Sequence, residues 1–104
     1  MSAEALHKDA IDAKTASAVA DRFKILADPT RVRLLSVLAQ RELCVSELTE
    51  ILGMEQSAVS HQLRTLRGCQ LVRHRKVGRQ VYYRLQDYHI KELLSHSIDH
   101  MSAL

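Results

Sequence analysis

Residues 46–67 contain two helical patterns that only the dipeptide Gly53-Met54 separates. The first pattern begins at Ser46, a residue type that caps helix N-termini. Its apolar residues have helical spacing: Leu48, Ile51 and Leu52. In the second pattern, about residues 56–67, the apolar positions i, i+4 and i+7 are Val59, Leu63 and Leu66. Two short helices joined by a tight glycine turn predict a helix-turn-helix.

Further helices are predicted on both sides of this unit. Residues 12–27 carry an apolar stripe made of Val19, Phe23, Ile25 and Leu26. The next helix begins at Asp28-Pro29, because Asp28 can cap free N–H groups and proline is tolerated at the first helical position. Its expected buried residues are Val32, Leu34, Leu35, Val37 and Leu38. A last helix spans about residues 87–101.

Two strand patterns, residues 71–77 and 80–85, flank Gly78-Arg79 and predict a β-hairpin, here called the wing. Val81, Tyr83 and Leu85 alternate on one side of the second strand. The wing gathers five basic or titratable residues: Arg73, His74, Arg75, Lys76 and Arg79. The modest net charge of +3 is therefore concentrated on one projecting element, which favours a polyanionic partner.

Composition supports a small, mainly helical domain. Three glycines, no tryptophan and 4% aromatic residues argue against an all-β fold in a chain of 104 residues. There is no run of 18 apolar residues and no apolar leader, so we expect a cytoplasmic protein with no membrane contact. We expect residues 1–11 to form a flexible arm. Residues 12–104 are predicted to form one domain, mainly α with a β-hairpin, in the order α-α-α-α-β-β-α.

A second face of the helix at residues 56–67 is short-chained, polar and rich in hydrogen-bond donors: Gln56, Ser57, Ser60, His61 and Arg64. Small hydrogen-bonding side chains and long cations are what a recognition helix presents to base edges and phosphates. Such a face followed directly by a cationic wing predicts binding to double-stranded DNA. The sequence has neither an HExxH motif nor a glycine-rich phosphate loop, so we do not expect an enzyme.

The sequence resembles the ArsR/SmtB family of metal-sensing repressors over about residues 19–100. The resemblance lies in three segments: LADPTRVRLLSVL, ELCVSELTEILGMEQSAVSHQLRTLRGCQLV and GRQVYYRLQDYHI. It implies a homodimeric winged helix-turn-helix repressor that binds an imperfect inverted-repeat operator and leaves it when a metal binds. On the matched positions it implies major-groove contacts by Gln56, Ser57, Ser60 and His61, and wing contacts by Arg75, Lys76 and Arg79.

The last helix carries a candidate metal site. His96 and His100 follow His89 by seven and eleven positions, which places the three histidines within a stripe of about 40°. One helix cannot surround an ion with this stripe, but two antiparallel copies in a dimer can, with Asp87 and His89 from one protomer facing His100 from the other. The alternative is that these histidines bind no metal and line a half-polar dimer interface.

The resemblance favours the metal site. The SmtB-type zinc sensors use the same Asp-x-His pattern and a histidine eleven residues after the first one, which implies Zn²⁺ ligation by Asp87, His89 and His100. Ala103 stands where the family has its fourth ligand. We expect water, His96 or the terminal carboxylate of Leu104 to be the fourth ligand, and water is the preferred candidate of the three.

Three alternatives stay open. The family's second site type implies Cys44 with Glu47, although Ser46 replaces a second thiol and the arm offers only His7 and Asp9. Ni²⁺ or Co²⁺ is the alternative metal, with His7 as an added ligand. A thiol-redox repressor is the third alternative, and it would use Cys44 and Cys69.

Overall fold

The computed structural model describes residues 9–104. From residue 13 onward the elements are α1 (Ala13–Leu26), α2 (Pro29–Leu38), β1 (Leu43–Cys44), α3 (Val45–Leu52), α4 (Gln56–Gly68), β2 (Val72–Val77), β3 (Gln80–Leu85) and α5 (Tyr88–Ser102). The three strands form an antiparallel sheet in the order β1-β3-β2. The predicted order of elements is confirmed, with β1 as an addition. The predicted arm falls mostly on residues 1–8, which lie outside the described residues.

The first two helices both begin at a capping aspartate, and the cap at Asp28 is the one that was predicted. The Asp12 carboxylate accepts a hydrogen bond from the Thr15 N–H at 2.7 Å, and this contact lowers the pKa of Asp12. Asp28 accepts from the Arg31 N–H at 3.2 Å, and Pro29 is the first residue of α2. Each carboxylate satisfies one backbone donor that a helix start leaves free.

Helix α3 begins differently from the prediction, because Cys44 rather than Ser46 is its N-cap residue. Cys44 is still extended there, since it pairs with Tyr82 in the sheet, so the chain enters the helix one residue after the strand. The Glu47 carboxylate accepts the Cys44 N–H at 3.1 Å, which lowers the pKa of Glu47. Ionised Glu47 therefore caps α3 at neutral pH, and this contribution is lost as the pH falls through the lowered pKa.

Helix α4 ends at Gly68, and the left-handed position of the turn that follows is taken by Gln70 with φ 60°. Gly53, in contrast, adopts φ 65° and ends α3 as predicted. Glycine is favoured at the left-handed position because a Cβ is strained there.

These two glycines give a matched pair of stability predictions. Gly68→Ala is expected to raise the free energy of unfolding by about 0.5–1 kcal/mol, because an added Cβ meets no atom within 4 Å and alanine restricts the unfolded chain. Gly53→Ala is expected to lower it by about 1 kcal/mol through strain at positive φ. Urea denaturation measures both, and changes of the same sign would contradict the assigned backbone conformations.

The buried core joins α2, the helix-turn-helix, the sheet and α5. Its residues are Leu34, Leu35, Leu38, Leu43, Leu48, Leu52, Val59, Leu63, Leu66, Leu71, Val72 and Leu94. Val32 and Val37 of α2 are only partly buried. No described helix is long and apolar enough to cross a bilayer.

Helix α1 is the exception to this burial. It contains no buried residue, and Val19 and Phe23 of its predicted stripe are exposed. The stripe exists, but a single chain offers too few neighbouring elements to cover it.

Candidate nucleic-acid interface and metal site

The polar face of α4 points away from the core. Val59, Leu63 and Leu66 are fully buried on one side. On the opposite side four of the predicted DNA-contact residues are exposed and Ser60 is half-buried; the exposed four are Gln56, Ser57, His61 and Arg64. The structure therefore brings the predicted recognition residues together on one accessible surface.

An arginine behind α4 holds this helix in place. The Arg31 Nε donates a hydrogen bond to the Gln62 Oε1 at 3.0 Å, and the Arg31 side chain also lies 3.8 Å from the Asp28 carboxylate. Arg31 belongs to α2, so this hydrogen bond connects the recognition helix α4 to α2. A recognition helix needs such rigid support, because base contacts tolerate little displacement.

The wing presents its cations unequally. Lys76 and Arg79 are exposed and form no ion pair within the described residues. The Arg75 Nε instead lies 2.6 Å from the Glu42 Oε1, and its guanidinium sits 5.9 Å from the centre of the Tyr82 ring. Sequence patterns do not predict this Glu42–Arg75 ion pair, because the two residues lie 33 positions apart.

A second contact ties the wing to α4. The Arg67 guanidinium lies 3.2 Å from the His74 Nε2, and the His74 ring stacks on Tyr83 with centroids 5.9 Å apart. Arg67 is in the last turn of α4 and His74 is in β2, so this contact joins the end of the recognition helix to the first strand of the wing.

The candidate metal residues lie on α5 as predicted from their spacing. Asp87 is the N-cap residue, and its Oδ1 accepts the Ile90 N–H at 3.2 Å. His89 is exposed in the first turn and His100 is exposed near the end. The His96 Nε2 lies 3.1 Å from the Glu92 Oε2.

These residues cannot close around one ion within a single chain. His89 and His100 stand eleven residues apart, a rise of about 16 Å along a helix. Within residues 9–104, no three His, Cys, Asp or Glu side chains form a group that could hold a metal. The donor set of one carboxylate and two imidazoles suits zinc chemically, but it needs a second copy of α5 to converge.

The two thiols lie on different elements and are free. Cys44 is only 5% exposed, its Sγ lies 3.1 Å from the Ser46 Oγ, and its backbone N–H binds Glu47. The Glu47 carboxylate also lies 3.4 Å from Arg41. The residues of the alternative Cys44–Glu47 site thus form the start of α3, while Cys69 caps the end of α4. His7, the extra ligand considered for Ni²⁺ or Co²⁺, lies outside the described residues.

An apolar groove runs between α1, α2 and α5. It encloses about 470 Å³, and its apolar lining residues are Phe23, Leu26, Val32, Leu93, Leu94, Ile98 and Met101. Phe23 is 54% exposed and Met101 is 65% exposed. Large apolar side chains clustered on a surface mark an interaction site.

The chain is similar in sequence to known regulators of transcription. A family model described as bacterial regulatory protein, arsR family, matches residues 28–74. A transcriptional repressor SmtB homolog from Synechocystis sp. is 50% identical over 86 residues, which are 83% of this chain and 65% of that protein. The HTH-type transcriptional regulator NmtR of Mycobacterium tuberculosis is 44% identical over 94 residues, which are 90% of this chain and 78% of that protein.

The fold is similar to solved structures of the same kind. The solution structure of apo-NmtR superposes with a TM-score of 0.82 at 43% identity and covers 91% of this chain and 80% of that one. A homodimeric winged helix-turn-helix DNA-binding domain from Mycobacterium bovis gives a TM-score of 0.77 at 29% identity, with coverage of 89% and 88%. The helix-turn-helix followed by a wing is therefore an architecture that these proteins share with this chain.

Proposed function

Because this chain belongs to the ArsR family of bacterial regulatory proteins, we propose that it is a zinc-responsive repressor of transcription. It acts in the cytoplasm as a homodimer on an inverted-repeat operator, and zinc held between the two α5 helices releases it from the DNA. One observation carries the choice of inducer site: Asp87, His89 and His100 are all exposed on α5, at the spacing of the SmtB-type zinc sensors.

The apolar groove supports the homodimer. The exposed apolar side chains of α1 and α5 contribute to the stability of the protein only when another surface removes them from water. A similar domain from Mycobacterium bovis is homodimeric. A second copy across this groove also brings a second α5 close enough to complete the ligand set.

The ligand residues act through their positions on α5. Asp87 uses its Oδ1 to cap the helix, and its Oδ2 takes no hydrogen bond within the described residues. His89 and His100 are both exposed, so their rings are open to ligation from a partner α5. Bound zinc supplies a positive charge and a link between the two helices. Zinc lowers DNA affinity only to the extent that this link favours a dimer conformation that binds DNA less well. A coupling free energy between zinc and DNA binding of about 1–3 kcal/mol corresponds to a 5- to 150-fold change in DNA affinity.

DNA binding divides between α4 and the wing. The exposed face of α4 carries the side chains that read base edges, namely Gln56, Ser57, Ser60, His61 and Arg64. The wing carries Lys76 and Arg79 to the phosphates. Arg75, which the Glu42 carboxylate partly neutralises, mainly holds the wing against the start of β1.

This division predicts different salt dependences for the wing variants. Lys76→Ala is expected to reduce the slope of log affinity against log salt concentration by about 1.8, because each of the two protomers loses one phosphate contact, and each contact accounts for about 0.9. Arg75→Ala is expected to reduce it by clearly less, since its charge is already paired with Glu42. Fluorescence anisotropy with operator DNA over a series of salt concentrations measures both slopes.

Glu42→Gln is the matched control for the ion pair. It removes the carboxylate charge while keeping the side-chain shape, so it frees Arg75 and is expected to steepen the slope. Equal slopes for Arg75→Ala and Lys76→Ala would show that Arg75 leaves Glu42 and contacts phosphate.

The proposed function as a whole is tested by operator binding with and without stoichiometric zinc at fixed salt. A loss of DNA affinity on adding zinc is the expected result. Nickel or cobalt is the alternative inducer, and the coordination number distinguishes them: four ligands favour zinc, and six nitrogen and oxygen ligands favour nickel or cobalt. No response to any of the three metals would contradict a metal sensor.

A further inference from the structure

A cavity of about 340 Å³ lies where α1, the α4–β2 junction and the start of α5 meet. Its polar lining residues are Arg22, Gln70, Gln86, Asp87 and His89. The start of the proposed metal site therefore shares one cavity with a residue of α1 and with the end of the recognition helix.

Arg22 makes a tertiary hydrogen bond in this region. Its guanidinium donates to the backbone carbonyl of Cys69 at 2.6 Å, across 47 positions of sequence. Cys69 is the C-cap residue of α4, where carbonyl groups lack helical donors and carry the negative end of the helix dipole. A cation placed there satisfies the carbonyl and stabilises the helix end, so α1 is fastened to the recognition helix through Arg22.

The backbone conformation of Gln70, the residue after Cys69, makes this junction sensitive to the loss of the hydrogen bonds that hold it. Gln70 has φ 60°, a conformation that costs energy for any residue other than glycine. The turn is held by hydrogen bonds from the Gln70 N–H to the Arg67 carbonyl at 3.0 Å and from the Leu71 N–H to the Leu66 carbonyl at 2.9 Å. This turn sets the direction in which the wing leaves α4, and Arg22 holds the carbonyl just before it.

We propose that Arg22 is a positioning residue that couples the Asp87–His89 end of α5 to the end of the recognition helix, an inference that rests on the proposed metal site. Asp87 and Arg22 are the oppositely charged lining residues of this cavity. Within the described residues no ion pair of 4 Å or less joins them, so the Asp87 carboxylate attracts the guanidinium across the cavity. When Asp87 serves as a ligand, its negative charge is compensated and this attraction weakens. Arg22 then holds the Cys69 carbonyl less firmly, and the α4–wing junction departs from the DNA-binding arrangement.

Arg22→Met tests this coupling, with Arg22→Lys as the conservative variant. Methionine keeps the apolar stem but loses the donors and the charge. We expect zinc-free Arg22→Met to bind operator DNA about tenfold more weakly and to respond to zinc with a clearly smaller fold-change. Lysine retains a cation that can reach a carbonyl, so Arg22→Lys is expected to recover most of the native response.

Two further readouts separate coupling from a general loss of structure. Zinc affinity without DNA, measured by competition with a chromophoric chelator, is expected to rise in Arg22→Met, because linkage is reciprocal and the state that zinc opposes has been weakened. The carbonyl ¹³C shift of Cys69 is expected to move in the same direction on adding zinc to the native protein and on introducing Arg22→Met. Lys24→Met, which removes an exposed cation from the same helix but does not line the cavity, should leave the zinc-induced fold-change at its native value.

The outcomes are distinguishable. A native zinc-induced fold-change in Arg22→Met, with an unchanged zinc affinity, would overturn the role of Arg22 and leave the proposed function intact. Absence of any zinc effect on DNA binding by the native protein would overturn the proposed function, and the coupling with it.

Discussion

Replacing His100 with alanine is expected to abolish the loss of DNA affinity that zinc causes in the native protein. The native response should be 5- to 150-fold, the range that coupling of about 1–3 kcal/mol allows, and the variant should bind operator DNA equally well with and without zinc. His100 is exposed near the end of α5 and belongs to neither α4 nor the wing, so DNA affinity without zinc should stay at its native value. Fluorescence anisotropy at fixed salt measures all four conditions.

Asp87→Asn provides a second test of the same site. Asparagine caps helices about as well as aspartate, so α5 should remain folded while the carboxylate charge is lost. A variant that folds normally and has lost its zinc response therefore identifies Asp87 as a ligand and not only as the cap for the Ile90 N–H.

His96→Ala separates the ligand set from the rest of the stripe. The structure pairs His96 with Glu92 one turn away, so its removal is expected to preserve the response. Loss of the response would identify His96 as the fourth ligand in place of water. The double variant Cys44→Ser with Cys69→Ser is the control for thiol chemistry. If it loses the response to the inducer, zinc or an oxidant, while His100→Ala keeps it, the repressor uses its thiols and not the α5 histidines.

Phe23→Glu is expected to convert the proposed homodimer into a monomer. Phe23 lies in the apolar groove, and a carboxylate in a surface that the second copy covers loses its hydration without gaining a partner. The dimer dissociation constant should rise by on the order of 100-fold, as for a central interface residue. Sedimentation velocity over a range of protein concentrations measures the change, and affinity for a two-site operator should fall with it.

Ile51→Glu is the matched control. Ile51 is 49% exposed, close to the 54% of Phe23, but it lies on α3 and does not line the groove. It should remain dimeric. Dissociation of both variants, or of neither, would show that the α1–α5 groove is not the contact between copies.

Local signals in the sequence were sufficient for most of the fold. Asp12, Asp28 and Gly53 mark helix boundaries through their own backbone and capping preferences, and the structure places them there. The short strand β1 had no such signal, because two residues are too few for an alternating pattern and its pairing depends on β3, about 40 positions later. The same strand explains why Cys44, and not Ser46, is the N-cap residue of α3.

Candidate site residues were predictable where one element carries them. The outward face of α4 and the stripe on α5 follow from helical spacing. Arg22 and the Glu42–Arg75 pair were not predictable, because each contact joins elements that only the tertiary fold brings together. In the proposed homodimer a second chain covers the α1 stripe, and no spacing within one sequence describes that contact.

In the proposed dimer, the exposed apolar residues of α1 and α5 also link folding to protein concentration. A partner that binds the folded chain and not the unfolded one acts as a stabilising ligand, so stability follows mass action. Dilution should lower the melting temperature of this protein, and an operator that holds two copies together should raise it again. The repressor is then most stable where it is bound to its operator, and the free chain is the form most open to degradation.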